Sequence, residues 1–367
     1  MNIVDQLLEI AYQHSFQVQP GFFLEHFGNR ILRNEFVSET AIGEIEKSTV
    51  KLGGGQFLYE TAKDFGYNYA ARIPLPKANS ILKDEYFKSL INFFETTYGR
   101  CSGYEIDWKN KKVKIKFKNF IVCRKNGIGI ISIATFAGLL AFMFEDKTLE
   151  GIQTSCEGRG DAECVAVFGL FEDIKQNTPL KFSNIEPVSI NPKYAILNRA
   201  IPTPADYGLE LLTRAGVVKY QSSTFDVLGE RFFPLEISFI PQLEKKLIEN
   251  GIDTRKAIYT PTYNTFQNFA ENNVKAKFPS NQNHLDVLCK LFSAFGWGYL
   301  QHLDNKITVR GFPWTELAVN GNPPTYFLAS VDGFLSGLTG KQITTKLIQA
   351  DTGTGSYSLV LLPEQKG

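Results

Sequence analysis

The sequence predicts an α+β chain of two tandem repeats, each an antiparallel sheet packed with helices, arranged as an internal pseudo-dimer. Three observations predict it. Cys156-Glu-Gly-Arg-Gly-Asp-Ala-Glu-Cys164-Val is a glycine-bearing turn closed at each end by a cysteine, lying between stretches that read as strands, Thr148 to Ser155 and Cys164 to Phe168. With Gly138 set on Gly333, Thr135-Phe-Ala-Gly-Leu-Leu-Ala-Phe meets Ser330-Val-Asp-Gly-Phe-Leu-Ser-Gly, and the same offset of 195 residues lands Gly160 on Gly355. Ahead of those helices, each half carries an alternating hairpin.

The first repeat, residues 1–175, opens with a helical lead-in. Gly53-Gly-Gly55 precedes a helix beginning near Gln56 and containing Leu58 to Phe65. Phe87, Leu90, Ile91 and Phe94 then share one face of a helix that runs into Tyr98-Gly99. Tyr104 to Trp108 turns through Lys109-Asn110-Lys111 into Val113 to Phe117, a strict two-residue alternation. A further strand, the apolar helix Phe136 to Phe144 and the cysteine-closed hairpin complete the repeat. Residues 176–207 carry Pro179, Pro187, Pro192, Pro202 and Pro204 with little periodicity and read as a linker.

The second repeat, residues 208–367, follows the same order in degenerate form. Ile258 to Thr265 stands in the place of Leu58 to Phe65, with Pro261 weakening the helix. Leu285 to Phe295 runs into Gly296, and Tyr299 to Leu303 turns at Asp304-Asn305 into Ile307 to Arg310. Short connections between strands imply antiparallel sheets in both repeats.

A chain of 367 residues, 43% hydrophobic, is long enough for two cores. A net charge of +1 predicts no nucleic-acid partner and no anionic surface as target. The absence of an 18-residue apolar run, and an N-terminus without a basic-then-apolar pattern, predict neither a membrane span nor a signal peptide. Five cysteines, an odd number, fit reduced thiols, and the expected location is cytoplasmic. Thirty Phe and 15 Tyr imply either two aromatic-rich cores or cores some of whose rings line an apolar cavity, and composition does not separate the two.

Two thiols at the ends of one turn invite a metal reading. Cys156 and Cys164 supply half of a tetrahedral zinc shell, with Cys101, Cys123, Glu150 and Glu157 as candidates for the rest. Otherwise they are small buried thiols ending a hairpin. The second repeat has Asp351 and Leu359 in their places, so the fold does not require a metal. Lys109, Lys111, Lys112, Lys114, Lys116 and Lys118 alternate with apolar residues, which describes a solvated strand face rather than an anion site. Trp297, between Gly296 and Gly298, is either a core ring or a pocket wall whose indole N–H meets a polar ligand head; Trp108 is its weaker counterpart. No GxSxG, HExxH, phosphate-loop or dinucleotide fingerprint is present, which leaves an enzymatic reading, a reductase among them, as the least supported.

Gly138-Leu-Leu-Ala-Phe, a strand, Cys156-x3-Gly160-x3-Cys164, and the Gly296-Trp-Gly298 turn into a strand resemble the 4-vinyl reductase domain family. The resemblance covers most of residues 20–170 and, more faintly, 215–365. That family includes a protein associated with bacteriochlorophyll synthesis and the sensor domains of phenol- and xylene-responsive activators, and is related in fold to TRAPP subunits. It implies non-catalytic binding of a small hydrophobic or aromatic molecule between helices and sheet, with Phe93, Phe94, Trp108, Phe136, Phe142, Trp297 and Phe334 as walls, and pairing as dimers. A protein partner or a homodimer is thus a further expectation. It also implies a zinc held by a glutamate three residues before the first turn cysteine, the two turn cysteines, and an upstream cysteine. Here Gln153 stands at the glutamate position, Ile130 near the upstream one, and Cys123 is several residues early, so an incomplete shell is expected. The alternative to a ligand binder is an assembly scaffold that keeps the fold with a filled pocket.

Overall fold

The computed structural model describes residues 16–19, 21–27, 30–73, 75–95, 98–177, 179–185, 209–221, 224–278, 283–314, 323–351 and 358–365. The chain is mixed α and β with antiparallel sheets. Of the linker, the stretch beyond Ile185 lies outside the described residues, as does the second turn around Gly355.

The strand pairs of the first half are β1 (Phe16–Gln19), β2 (Phe22–Phe27), β3 (Arg30–Ser38), β4 (Arg100–Asp107), β5 (Lys112–Lys118), β6 (Leu149–Ser155) and β7 (Cys164–Leu170). Those of the second are β8 (Val218–Gln221), β9 (Thr224–Val227), β10 (Glu230–Glu236), β11 (Tyr299–Leu303), β12 (Lys306–Arg310), β13 (Ile343–Asp351) and β14 (Ser358–Gln365). They form three sheets. β4-β5-β7-β6 and β11-β12-β14-β13 have the same strand order, one in each half. The third, β1-β2-β3-β10-β9-β8, draws a three-strand meander from each half and joins them where β3 meets β10, Phe36 opposite Pro234.

Eight longer helices and the short α4, among the described residues, build the layers against these sheets. In the first half they are α1 (Glu39–Lys51), α2 (Gly55–Arg72), α3 (Lys83–Glu95), the four-residue α4 (Cys123–Asn126) and α5 (Ile130–Met143). In the second they are α6 (Phe239–Glu249), α7 (Thr260–Phe269), α8 (His284–Ala294) and α9 (Thr325–Thr339). The Ser38 hydroxyl caps α1 by accepting the Ala41 N–H at 3.1 Å, and Asn283 caps α8 by accepting from Leu285 at 2.9 Å. Pro261 does not break its helix. It sits in the first turn of α7, after a π-helical turn at Arg255–Tyr259, where the missing N–H costs no α-helical bond.

Both halves pack their sheet helix onto the preceding long helix through glycine. A Cβ on Gly138 of α5 would lie 2.1 Å from the Lys63 carbonyl oxygen of α2, and one on Gly333 of α9 would lie 2.2 Å from that of Tyr263 in α7. Only hydrogen fits at these crossings, which is why the two glycines fall into register in the sequence. The strand expected between the first hairpin and α5 is not formed. Residues 119–129 instead make a tight loop and α4, with Asn119 and Val122 at φ of 56° and 63°. The Val122 N–H donates to the buried Glu39 carboxylate at 2.9 Å, which holds a β-branched residue in a region it rarely adopts.

The meanders are exchanged between the halves. Gly21 N–H donates to the Ser293 carbonyl at 2.7 Å, Phe36 N–H to Phe295 at 2.8 Å, and the Arg33 guanidinium spans the Gly21, Gly296 and Gly311 carbonyls. Reciprocally, Arg72 of α2 pairs with Glu236 of β10 at 2.9 Å, and Phe239 of α6 packs edge-on against Phe65. Each four-stranded unit is thereby covered by strands from the other half.

Candidate functional site

Two places in the first unit combine concavity or convergent chemistry. One is an apolar cavity of about 60 Å³ where the halves meet. α3 supplies Phe94, the following turn Tyr98, and α5 Phe136; β10 and α6 close it from the other half with Phe233, Leu235 and Phe239. Ile42 of α1, Phe65 and Tyr69 of α2 and the loop Phe120-Ile121-Val122 also line it. The Phe94 and Phe136 ring centroids are 4.7 Å apart, with Phe117 5.5 Å and Phe168 6.2 Å from Phe136.

Polar groups at this wall are held by neighbours. The Tyr98 hydroxyl donates to the Pro234 carbonyl at 2.7 Å and Tyr69 to the Glu25 carboxylate at 2.9 Å, while Glu236 takes Arg72 and the Ser238 hydroxyl. Burial pushes Glu25 up to about 7, against hydrogen bonds from Asn34 and Tyr69 that lower it. Burial likewise raises Tyr69 well above the usual tyrosine range. The arrangement is an apolar chamber with a few oriented dipoles near its rim.

Of the expected wall residues, Phe94 and Phe136 line the cavity. Phe93 stacks edge-on against Phe94 at 5.8 Å but stands behind it. Trp108 lies elsewhere, its Nε1 donating to Asp84 at 2.7 Å, and Phe142 packs on Tyr67 with the Lys77 ammonium 3.3 Å above its face. Trp297 and Phe334 belong to the second unit. Both are fully buried, and the Trp297 indole N–H donates to the Phe36 carbonyl at 3.0 Å, so it is not turned to a ligand. The contributions of Phe233, Leu235 and Phe239 come from 97 to 145 residues along the chain from Phe136 and Phe94 and escape local periodicity.

The second place is a cluster of thiols. Cys123 at the start of α4 reaches Cys156 and Cys164, and the three buried sulfurs lie within 4.8 Å of one another. Cys123 Sγ is 3.4 Å from Cys164 Sγ. A tetrahedral zinc with bonds of 2.3 Å sets its sulfurs about 3.8 Å apart, so these residues can hold a metal ion with small adjustments. Cys101 and Glu150 are not part of it. Glu150 instead forms a fully buried pair with Lys63 at 2.7 Å, completed by the Tyr59 hydroxyl and the Phe182 N–H. Glu157 accepts the Asn119 N–H at 2.7 Å.

Hydrogen-bond donors face two of the thiols, while the Cys156 thiol donates to the Cys123 carbonyl at 3.3 Å. Glu157 N–H donates to Cys164 Sγ at 3.4 Å, and the side-chain amide of Gln153 to Cys123 Sγ at 3.3 Å. The hydrogen bond from Cys123, aided by the Gly158 N–H against the effect of burial, brings Cys156 down to about 6. The same sharing pushes Cys123 up. Three thiols this close cannot all ionise without a cation among them.

No family model and no curated protein matches this chain. The lysines of β5 are engaged as a solvated face, Lys112 with Asp173 at 3.5 Å and Lys116 with Glu163 at 3.8 Å. Among the described residues, no helix is long and apolar enough to cross a membrane.

Proposed function

We propose that this protein binds a small hydrophobic or aromatic molecule without transforming it, as a tandem pair of 4-vinyl-reductase-like domains packed as an internal pseudo-dimer. The observation that carries the reading is the apolar cavity between Phe94, Tyr98 and Phe136 of one half and Phe233, Leu235 and Phe239 of the other. A ligand there touches both halves, so occupancy is coupled to how they dock, which is what a sensor or carrier module needs. The common strand order of the two smaller sheets, the paired glycine crossings and the exchanged meanders support the duplication. The three thiols are assigned a structural zinc, on their spacing and on the N–H groups that face them.

One observation favours the scaffold as a second reading. A void of about 60 Å³ is smaller than the roughly 150 Å³ that admits benzene, so a ring enters only if Phe94 or Tyr98 swings away. Native mass spectrometry of the freshly purified chain, beside the same sample after denaturing extraction, separates the two. The binder releases a near-stoichiometric apolar molecule. An empty chain that also fails to gain stability from added aromatic probes sinks the binding reading and leaves the scaffold.

A further inference from the structure

One strained residue stands between the cavity and the thiols. Phe120, Ile121 and Val122 line the cavity, and the next residue, Cys123, sits among the buried sulfurs. Val122 has φ of 63° and ψ of −64°, and across it the Cys123 N–H donates to the Ile121 carbonyl at 2.7 Å. That is a γ-turn of the rare, strained kind, on a β-branched residue that seldom enters this region. Such a conformation persists only where its surroundings hold it. Here the buried Glu39 carboxylate accepts the Val122 N–H at 2.9 Å and two N–H groups of Arg124 at 3.0 and 2.6 Å. Arg231, from the far half, donates to the Asn119 carbonyl at 2.9 Å, and Glu157, beside Cys156, accepts the Asn119 N–H at 2.7 Å.

Each side of this turn is tied to one of the two places. On the cavity side the Ile121 N–H donates to the Tyr98 carbonyl at 2.9 Å and the Ser132 hydroxyl donates to the Ile121 carbonyl at 3.4 Å; Tyr98 and Ser132 both line the void. On the thiol side the Cys123 carbonyl accepts the Cys156 thiol at 3.3 Å and the Gly127 N–H at 2.7 Å. A Cβ at Gly158 would lie 2.2 Å from that carbonyl oxygen, so the loop and the cysteine-closed turn meet backbone to backbone. A molecule larger than the void of about 60 Å³ has to push its wall outward. We infer that the Val122 turn is a two-state joint that couples the cavity to the thiols. With the cavity empty, the turn is held strained and Cys123 lies within the cluster. An apolar molecule in the cavity displaces Ile121 and Val122, relaxes the turn and withdraws Cys123 from Cys156 and Cys164. The inference rests on the reading of the cavity as a binding site. The coupling is negative and reciprocal: whatever draws the three sulfurs together weakens binding in the cavity by the same factor. Wall and thiol belong to adjacent residues, so the coupling needs no longer chain of contacts.

Alkylation by iodoacetamide, followed cysteine by cysteine through peptide mass mapping of the reduced full-length chain with and without benzene, reads the joint. Benzene binding is read separately, as stabilisation against urea. In wild type, saturating benzene is expected to raise the Cys123 rate by about 5-fold or more, the low end for linked sites. Cys289, buried on α8 and outside the cavity wall, should keep its rate. Val122→Gly, for which positive φ carries no penalty and the joint bends freely, is expected to bind benzene without a change at Cys123. Ser132→Leu fills the void with a tethered side chain and should raise the Cys123 rate with no probe present. Benzene that stabilises the chain while Cys123 keeps its rate overturns the coupling and leaves the binding reading standing. A Val122→Gly chain that responds like wild type overturns the turn as the joint. Benzene that gives no stabilisation, while Ser132→Leu still speeds Cys123, removes the binding reading and keeps the joint; a folded Ser132→Leu chain with the wild-type Cys123 rate overturns the joint as well. Should Ser132→Leu fail to fold, the comparison of wild type with Val122→Gly carries the test.

Discussion

The two units carry the same sheet order and the same glycine-mediated helix crossing, yet they fill their centres differently. In the first, Phe94, Tyr98 and Phe136 leave a void against Phe233 and Phe239. In the second, Trp297 stands 4.6 Å from Phe292, 5.7 Å from Tyr326, 5.8 Å from Phe266 and 5.9 Å from Trp314, ring against ring. With Gly99 set on Gly296, Trp297 occupies the position of Arg100. One residue thus adds an indole to the second core where the first has a side chain at the start of β4. Side-chain packing, rather than strand order, distinguishes the two centres.

The largest effect should come from removing that indole. Trp297→Ala is expected to cost about 3–5 kcal/mol, because a fully buried ring leaves a cavity its neighbours cannot collapse into, and it also strips the Phe36 carbonyl of its donor. Phe136→Ala should fall at the low end of the same range, about 3 kcal/mol, and be offset by an apolar probe such as benzene entering the enlarged void. Urea denaturation with and without probe measures both. If Trp297→Ala is rescued by benzene as well as Phe136→Ala, the second unit is also a chamber in waiting and the contrast fails.

Much of each unit was legible in the sequence because local signals suffice for it. Alternation over Val113 to Phe117 gave β5, the face of Phe87, Leu90, Ile91 and Phe94 gave α3, and the cysteine-closed turn gave β6 and β7. The six-stranded sheet was not legible. Its β3 buries Arg33, Asn34 and Glu35 in succession, which erases the two-residue pattern, and Arg33 is held there by the Gly296 and Gly311 carbonyls of the far half. The thiol site was half legible. Cys123 lies too early for a matching register, but the loop with positive φ at Asn119 and Val122 folds it back onto the turn. The cavity needed the far half, since Phe233, Leu235, Glu236 and Phe239 all line it from there.

The seam between the units carries the next largest effect. Glu25 is buried with Asn34, Tyr69, Glu236 and Arg72 facing it, and burial raises it from near 4.5 to about 7. The folded chain therefore binds this proton more tightly than the unfolded chain. The stability it lends is complete below about pH 4.5, declines as pH rises, and is gone above about pH 7, a loss of about 3 kcal/mol. Glu35, also raised by burial, acts in the same direction. Stability measured from pH 5 to pH 8 should fall in wild type and fall less in Glu25→Gln. A variant with the wild-type slope would place the pH dependence outside the seam.

The smallest effect tests the shared frame most directly. Gly138→Ala puts a methyl 2.1 Å from the Lys63 carbonyl oxygen and 2.6 Å from the Tyr67 nitrogen; Gly333→Ala puts one 2.2 Å from the Tyr263 oxygen. Backbone atoms cannot swing aside, so α5 must lift from α2, and α9 from α7. Overpacking of this kind costs about 1–3 kcal/mol, and the near-equal approach in both units predicts near-equal costs. Their consequences should differ. Lifting α5 displaces Phe136 and Thr135, which line the cavity, so aromatic-probe binding should weaken in Gly138→Ala; lifting α9 touches no cavity wall, so binding should survive in Gly333→Ala. Equal destabilisation with unequal loss of binding is the outcome that a common frame with one open chamber requires. If Gly333→Ala is silent in denaturation while Gly138→Ala is not, the two crossings are not equivalent and the duplication loses its strongest geometric support.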